Sequence, residues 1–214
     1  MKKIIYTFTL LFAAGFIFTA CRNDDEPTPT PCPTTDVGVV IDGIRWATRN
    51  VDAPGTFADN PQNAGMFYQW NRNIGWSSTN PMTDSNGGTA WWGSSIPAGT
   101  AWYAENDPCP AGWRVPTQAE LTNLRNQPNT WISNWNGTGI NGRLFGTAPY
   151  QIFLPAAGFR STAGTLYVVG GFGGYWSNTQ RGSTYAMELS FGSGSSGMSH
   201  WSRAVGLSVR CVAE

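Results

Sequence analysis

Charge is scarce in this sequence, and the scarcity excludes several kinds of function. Only 12% of the 214 residues are Asp, Glu, Lys or Arg. The lysines, Lys2 and Lys3, stand at the N-terminus, so every later cation is an arginine. From Cys21 onward, 11 basic residues face 13 acidic ones. No basic stripe can dominate such a surface, which argues against a nucleic-acid partner. Histidine is nearly absent, His200 being the single one. A Ser-His-Asp arrangement would have to recruit it, and no serine lies in a nucleophile-elbow context. No Cys-x-x-Cys or paired-histidine spacing occurs, so neither a metal nor another cofactor is expected. A carboxylate pair for glycoside hydrolysis would come from Asp59, Asp84, Glu105, Asp107, Glu120 and Glu188, and no spacing pairs them. These deficits point away from an enzyme and leave no catalytic residue to nominate.

What is present begins with an export signal. Lys2 and Lys3 form a positive start, and Ile4 to Ala20 carries no charge. That run is short for a spanning helix and has the form of a signal h-region, so residues 1–20 are expected to be removed. Phe18-Thr19-Ala20-Cys21 resembles a lipobox with Phe where Leu is usual. Cys21 is therefore the expected lipidation site, and two or more acyl chains make a stable membrane anchor. Arg22-Asn23-Asp24-Asp25-Glu26 resembles the surface-export signal of Bacteroidetes lipoproteins. The implied location is the outer membrane, lipid-anchored and exposed at the cell surface. Pro27, Pro29, Pro31 and Pro33 alternate with other residues, so 21–36 reads as an extended tether. Residues 37–214 have even composition and read as one domain.

Four cysteines occur, at 21, 32, 109 and 211. An exported chain meets an oxidising compartment, so Cys109 is expected to pair with Cys211. Cys32 is then left over, free or paired between molecules. Along the domain, Val37 to Ile44 reads as a strand turning at Asp42-Gly43, with Arg45 to Val51 as its partner. Gly65 to Trp70 is a third apolar segment, and Asn71 to Gly99 and Asn129 to Gly142 read as loops. The one clear helix spans Thr117 to Asn126, where Thr117 and Glu120 make a capping box and Pro128 stops the run. Tyr185 to Phe191 and Val205 to Val212 alternate and are expected to be paired core strands. The fold class is thus α+β, mostly β, with long Gly-, Asn- and Trp-rich loops.

Several blocks carry a resemblance. Cys109-Pro110-Ala111-Gly112-Trp113-Arg114-Val115-Pro116-Thr117, followed by Glu120-Leu121, looks like the signature of the Fibrobacter succinogenes major paralogous domain. Leu154-Pro155-Ala156-Ala157-Gly158-Phe159-Arg160 and Gly174-Tyr175-Trp176-Ser177-Asn178-Thr179 are similar to two further blocks of that family. Gly206-Leu207-Ser208-Val209-Arg210-Cys211-Val212 resembles its closing block, and Ile41 to Val51 its opening. The resemblance implies a C-type lectin-like, sulfatase-modifying-factor-like fold whose two ends meet by sheet pairing. It also implies a Cys109–Cys211 bridge from the helix entrance to the last strand, and core positions for Trp46, Trp113 and Trp176. It brings no activity with it.

A binding role needs only a surface. Trp76, Trp91, Trp92, Trp131 and Trp135 lie in the expected loops and are the candidate ligand-binding residues. Indole rings stack on the C–H faces of sugars, while nearby Gln69, Asn71, Asn73, Asn134 and Asn136 could satisfy hydroxyls. The opposing reading makes these tryptophans plugs beneath their loops. Gln127-Pro128-Asn129 and Asn134-Trp135-Asn136 superficially resemble a lectin calcium pair, but acidic ligands are lacking around them. Arg114, Arg160 and Arg210 read as hydrogen-bond hubs for loop carbonyls. The expected function is a non-catalytic binding module for a glycan or protein ligand. The alternative is a structural or fimbria-associated envelope component.

Overall fold

Asp42 and Gly43 both take positive φ, 49° and 77°. That is the geometry a two-residue hairpin turn demands. It joins β1 (Val39–Ile41) to β2 (Ile44–Trp46) in register from Val39↔Trp46 to Ile41↔Ile44. These strands open the domain in a computed structural model that describes residues 36–91 and 93–214. The signal segment, Cys21, the tether up to Thr35 and Cys32 all lie outside the described residues. The compact unit starts at Asp36. The Asp36 carboxylate accepts hydrogen bonds from the backbone N–H groups of Gly38, Thr48 and Arg49 and from the Thr48 hydroxyl.

Fifteen short strands form four sheets, and the described chain is mostly β with one α-helix. The first sheet runs β1-β2-β15-β5, where β15 is Val212–Ala213 and β5 is Trp113–Arg114. Its Trp46↔Val212 pair joins the two ends of the domain. The second runs β10-β9-β14-β3-β4. Here β3 is Phe67–Gln69, β4 Gly75–Trp76, β9 Phe159–Arg160, β10 Leu166–Tyr167 and β14 Gly206–Leu207. The third is the meander β6 (Asn129–Ile132), β7 (Gly142–Thr147) and β8 (Tyr150–Pro155). The fourth is β11 (Gly173–Arg181), β12 (Tyr185–Phe191) and β13 (Ser196–Ser202). No described helix is long and apolar enough to cross a membrane.

The helix α1 spans Gln118–Asn126 with Thr117 as its N-cap. The Glu120 N–H donates to Thr117 Oγ1 at 3.2 Å, and the Thr117 N–H donates to Glu120 Oε2 at 2.7 Å. This reciprocal box is the one the sequence foretells. Leu121 and Leu124 are its buried face. They pack with Trp46, Phe145, Ile152, Leu154, Tyr175, Leu189, Phe191 and Val212 in one apolar cluster. A second cluster gathers Tyr68, Trp70, Trp102, Trp176, Val205, Leu207 and Val209 around Cys211. Cys211 is bonded to Cys109 there, 102 residues away in sequence. Trp46 and Trp176 are fully buried, whereas Trp113 is half-buried, edge-on to Phe57.

Two expectations are corrected. Val205 to Val212 is not one strand beside Tyr185–Phe191. It divides into β14 and β15, which belong to different sheets, while β12 pairs with β11 and β13. The polar members of that run, Ser208 and Arg210, are completely buried, so its alternation never marked a wet face. The stretch from Asn129 to Gly142 is not wholly loop, since β6 occupies its first four residues. Ser196–Ser202, on which the sequence is silent, is a strand although three serines and a glycine stand among its seven residues. Pairing with β12 along its whole length supplies what propensity does not.

Candidate functional site

A cleft of about 430 Å³ opens where five separate chain segments meet. The segment 52–65 contributes Asp52, Asp59, Gln62 and Asn63, and the loop after β4 contributes Ser78. Ala157 comes from just beyond β8, Val169 from beyond β10 and Ile140 from the turn before β7. The lining thus mixes carboxylate, amide and hydroxyl groups with a small apolar patch. Among the described residues, no lysine or arginine lines it.

Buried polar side chains hold each wall from behind. The Asn50 amide, fully buried, donates to the Ala64 carbonyl at 2.9 Å. Arg210 donates twice to Asn50 Oδ1, at 3.0 and 2.7 Å, and also to the carbonyls of Ala47 and Phe153. Burial pulls the Arg210 guanidinium down to about 10, which leaves it charged at neutral pH. Arg49, ion-paired with Asp36 at 3.4 Å, reaches the Ala58 carbonyl at 3.3 Å. Arg160 donates to the carbonyls of Ser77, Thr79 and Gly164, so the two carbonyls flanking Ser78 are clamped by one guanidinium. Asn141 holds the far rim through the Gly170 carbonyl at 3.0 Å. Gly65 closes the base with φ of +66°, and a Cβ there would lie 2.1 Å from the Val51 carbonyl oxygen. Only glycine fits so close an approach at that φ. A site whose walls are fixed in this way is formed before any ligand arrives.

Trp76, Trp91, Trp131 and Trp135 do not line this cleft. Trp76 is corrected outright: it is fully buried, 4.9 Å from the Trp91 ring, and offers nothing to a ligand. Trp91 is half-buried and donates from Nε1 to the Thr162 carbonyl at 3.0 Å. It also lies against Gly164 and Gly206. Trp92 lies outside the described residues. Trp131 is half-buried on β6 and donates to Ser133 Oγ. Trp135 is half-buried and stacks on Phe153 at 4.3 Å with planes 12° apart. Its N–H donates to the Ile140 carbonyl, so it braces one lip of the cleft without facing into it. Among the described residues no ring contact links the Trp76–Trp91 pair to Trp131 or Trp135.

The amides nominated beside them also serve the fold. Gln69 is buried and donates to the Ala204 carbonyl, and Asn71 bridges Ala98, Tyr103 and Asn106. Asn73 reaches the Glu105 carbonyl, and Asn134 accepts from Gly139. Asn129, of the lectin-like pair, has its Oδ1 taken by Arg143 and Ser196. Among the arginines, Arg160 serves loop carbonyls as expected, Arg210 divides its donors between the Asn50 amide and the carbonyls of Ala47 and Phe153, the latter on β8, and Arg114 mainly pairs with Glu120 at 2.6 Å.

The cleft residues carry no motif, and sequence reasoning missed them apart from Asp59, which it weighed only as one possible glycosidase carboxylate. It also missed Arg203, which sits over the Trp70 ring and donates to the carbonyls of Pro97, Gly99, Gly182 and Tyr185. The available signal was an arginine in a neighbourhood without acids, which has only backbone carbonyls to turn to. Comparison of the chain with family models, with curated proteins and with solved structures found no match.

Proposed function

We propose that this chain is a surface-displayed lipoprotein anchored at Cys21, and that its domain is a non-catalytic binding module for neutral glycans. The observation that carries the reading is the cleft between Asp52, Asp59, Gln62, Asn63 and Ser78 and the apolar Ile140 and Val169. Hydroxyl-rich ligands need donors and acceptors at fixed positions together with a small apolar face, and this lining supplies both. Two carboxylates without a lining cation disfavour anionic sugars.

Membership in the Fibrobacter succinogenes major paralogous domain family, with its C-type lectin-like fold, is part of the same proposal. Two features support it. The Trp46↔Val212 pair brings the opening and closing blocks together, and the Cys109–Cys211 bridge ties the helix entrance to the end of the last block. The uncovered outer edge of β13 favours a second reading, an assembly component of the envelope.

The test is a glycan array on the full chain, followed by titration of each hit. Gln62→Ala combined with Asn63→Ala should weaken binding at least about tenfold, the loss of one or two ligand hydrogen bonds. Trp91→Ala should leave affinity unchanged. An array with no hit, or binding that ignores the cleft pair and falls with Trp91, overturns this assignment.

A further inference from the structure

The two edges of the fourth sheet are treated differently. The outer edge of β11 is covered along its length by isolated bridges, Gly158↔Gly173, Tyr175↔Ser208 and Ala101↔Thr179. On its inner side β13 pairs with β12 over seven consecutive residues without a register shift. On its outer side neither a strand nor a bridge is present among the described residues. An exposed edge presents a row of unpaired N–H and C=O groups. Natural proteins blunt such edges with proline, charge, a bulge or brevity. Ser196-Gly197-Met198-Ser199-His200-Trp201-Ser202 uses none of these devices. The other uncovered edge strands are shorter, from β8 with six residues down to β10 with two. Arg125 caps one end by donating to the Ser196 carbonyl at 3.3 Å.

We infer that β13 is a self-association edge. Two copies of the chain pair β13 against β13 in antiparallel fashion about a two-fold axis at Ser199, which makes one six-stranded sheet from two three-stranded ones. Three observations choose a second copy as the occupant. First, the segment complements itself about Ser199. Ser196 meets Ser202, Met198 meets His200, and Gly197 leaves room beside the Trp201 ring, which is already held against Phe159 and Phe172. An interface with two-fold symmetry requires such self-complementarity. Second, the strand itself carries no Asp, Glu, Lys or Arg, and the two cations that reach it, Arg125 at Ser196 and Arg181 at His200, already have partners there. Third, two copies do not repel as bodies. Residues 36–214 keep ten of the 13 basic and ten of the 13 acidic residues, the others being Lys2, Lys3 and Arg22 and Asp24, Asp25 and Glu26. A net charge near zero favours association.

The experiment is sedimentation velocity of the full chain in density-matched detergent over a wide concentration range, with a charge-swap pair. The wild-type chain should show a reversible monomer–dimer equilibrium. Ser199 is exposed, so Ser199→Lys and Ser199→Glu leave the packing of the domain intact. Each places like charges face to face on the two-fold axis and should weaken self-association about tenfold or more. Mixing the two variants should restore a dimer, now heteromeric, at least as tight as the wild type. A wild-type chain that stays monomeric overturns the inference. So does a dimer that persists in both variants, which would place the interface elsewhere, or a mixture that fails to reassociate. Binding of a foreign extended peptide to β13 in a monomeric chain would equally replace the second copy as occupant.

Discussion

At the residue scale, the buried arginines and Glu188 show how this domain handles its few charges. Arg160, Arg203 and Arg210 are each no more than 1% exposed, and among the described residues none has a carboxylate within ion-pair distance. Their guanidinium groups are satisfied by carbonyls and amides, which the planar five-donor fork can reach in several directions at once. Lysine, a point donor, would leave part of each network open. Glu188 is the opposite case. It is 2% exposed, its Oε2 has no hydrogen-bond partner, and burial pushes its carboxyl up to about 8. It is therefore largely protonated at neutral pH. Because its folded pKa lies above the ordinary value, the native state holds a proton that the unfolded chain releases. Its contribution to stability is complete below about pH 4.5 and is lost progressively as the pH rises to about 8. Within that window the slope approaches ~1.4 kcal/mol per pH unit. Urea titrations of Glu188→Gln across the window should show that slope removed. A slope that survives the substitution would assign it to another group.

At the element scale, α1 is the one piece whose start, stop and buried face follow from local chemistry. Burial alone would raise the Glu120 carboxyl, but Arg114 and Thr117 outweigh it and hold the group below its ordinary value. One side chain thus closes the capping box and anchors β5 to the helix through Arg114. Thr117→Ala should lower stability by about 1 kcal/mol, the usual value of an N-cap, with the fold unchanged. Glu120→Ala should lower it further, because it also leaves Arg114 without its partner. Chemical denaturation of the two variants checks the order. The strands offer no such local reading. β14 and β15 are two residues each, and only the neighbours they meet make them strands. The loop tryptophans teach the same lesson. Trp76 reads like a surface aromatic in its Asn- and Ser-rich setting, yet Trp91 packs against it, and the loop around Gly164 packs against Trp91 in turn.

At the scale of the whole molecule, the C-terminal segment is fastened twice, to β2 by the Trp46↔Val212 pairing and to the helix entrance by the Cys109–Cys211 bridge. A loop of 102 residues is expensive to close in the unfolded chain. Replacing both cysteines by alanine should therefore cost about 4.7 kcal/mol in the chain-entropy account. Thermal melts of the double variant, and of the wild type with and without reductant, should agree. A melting temperature unmoved in both would show that the sheet alone holds the C-terminal segment. The cleft belongs to this scale as well. Its walls come from segments more than a hundred residues apart, and they are aligned by Arg210, Asn50 and Arg160 acting from the core side.

The sequence by itself determined the hairpin at Asp42-Gly43, the capped helix and the disulfide partners. Each depends on a few neighbouring residues or on the small number of cysteines available. It also marked Arg160 as a servant of loop carbonyls, because a chain so poor in acids offers it little else. Only the tertiary structure decided which tryptophans reach solvent, how the closing run divides between two sheets, and where the cleft opens. These are outcomes of long-range packing. A buried serine or arginine spells the same as an exposed one until the residues opposite it are in place.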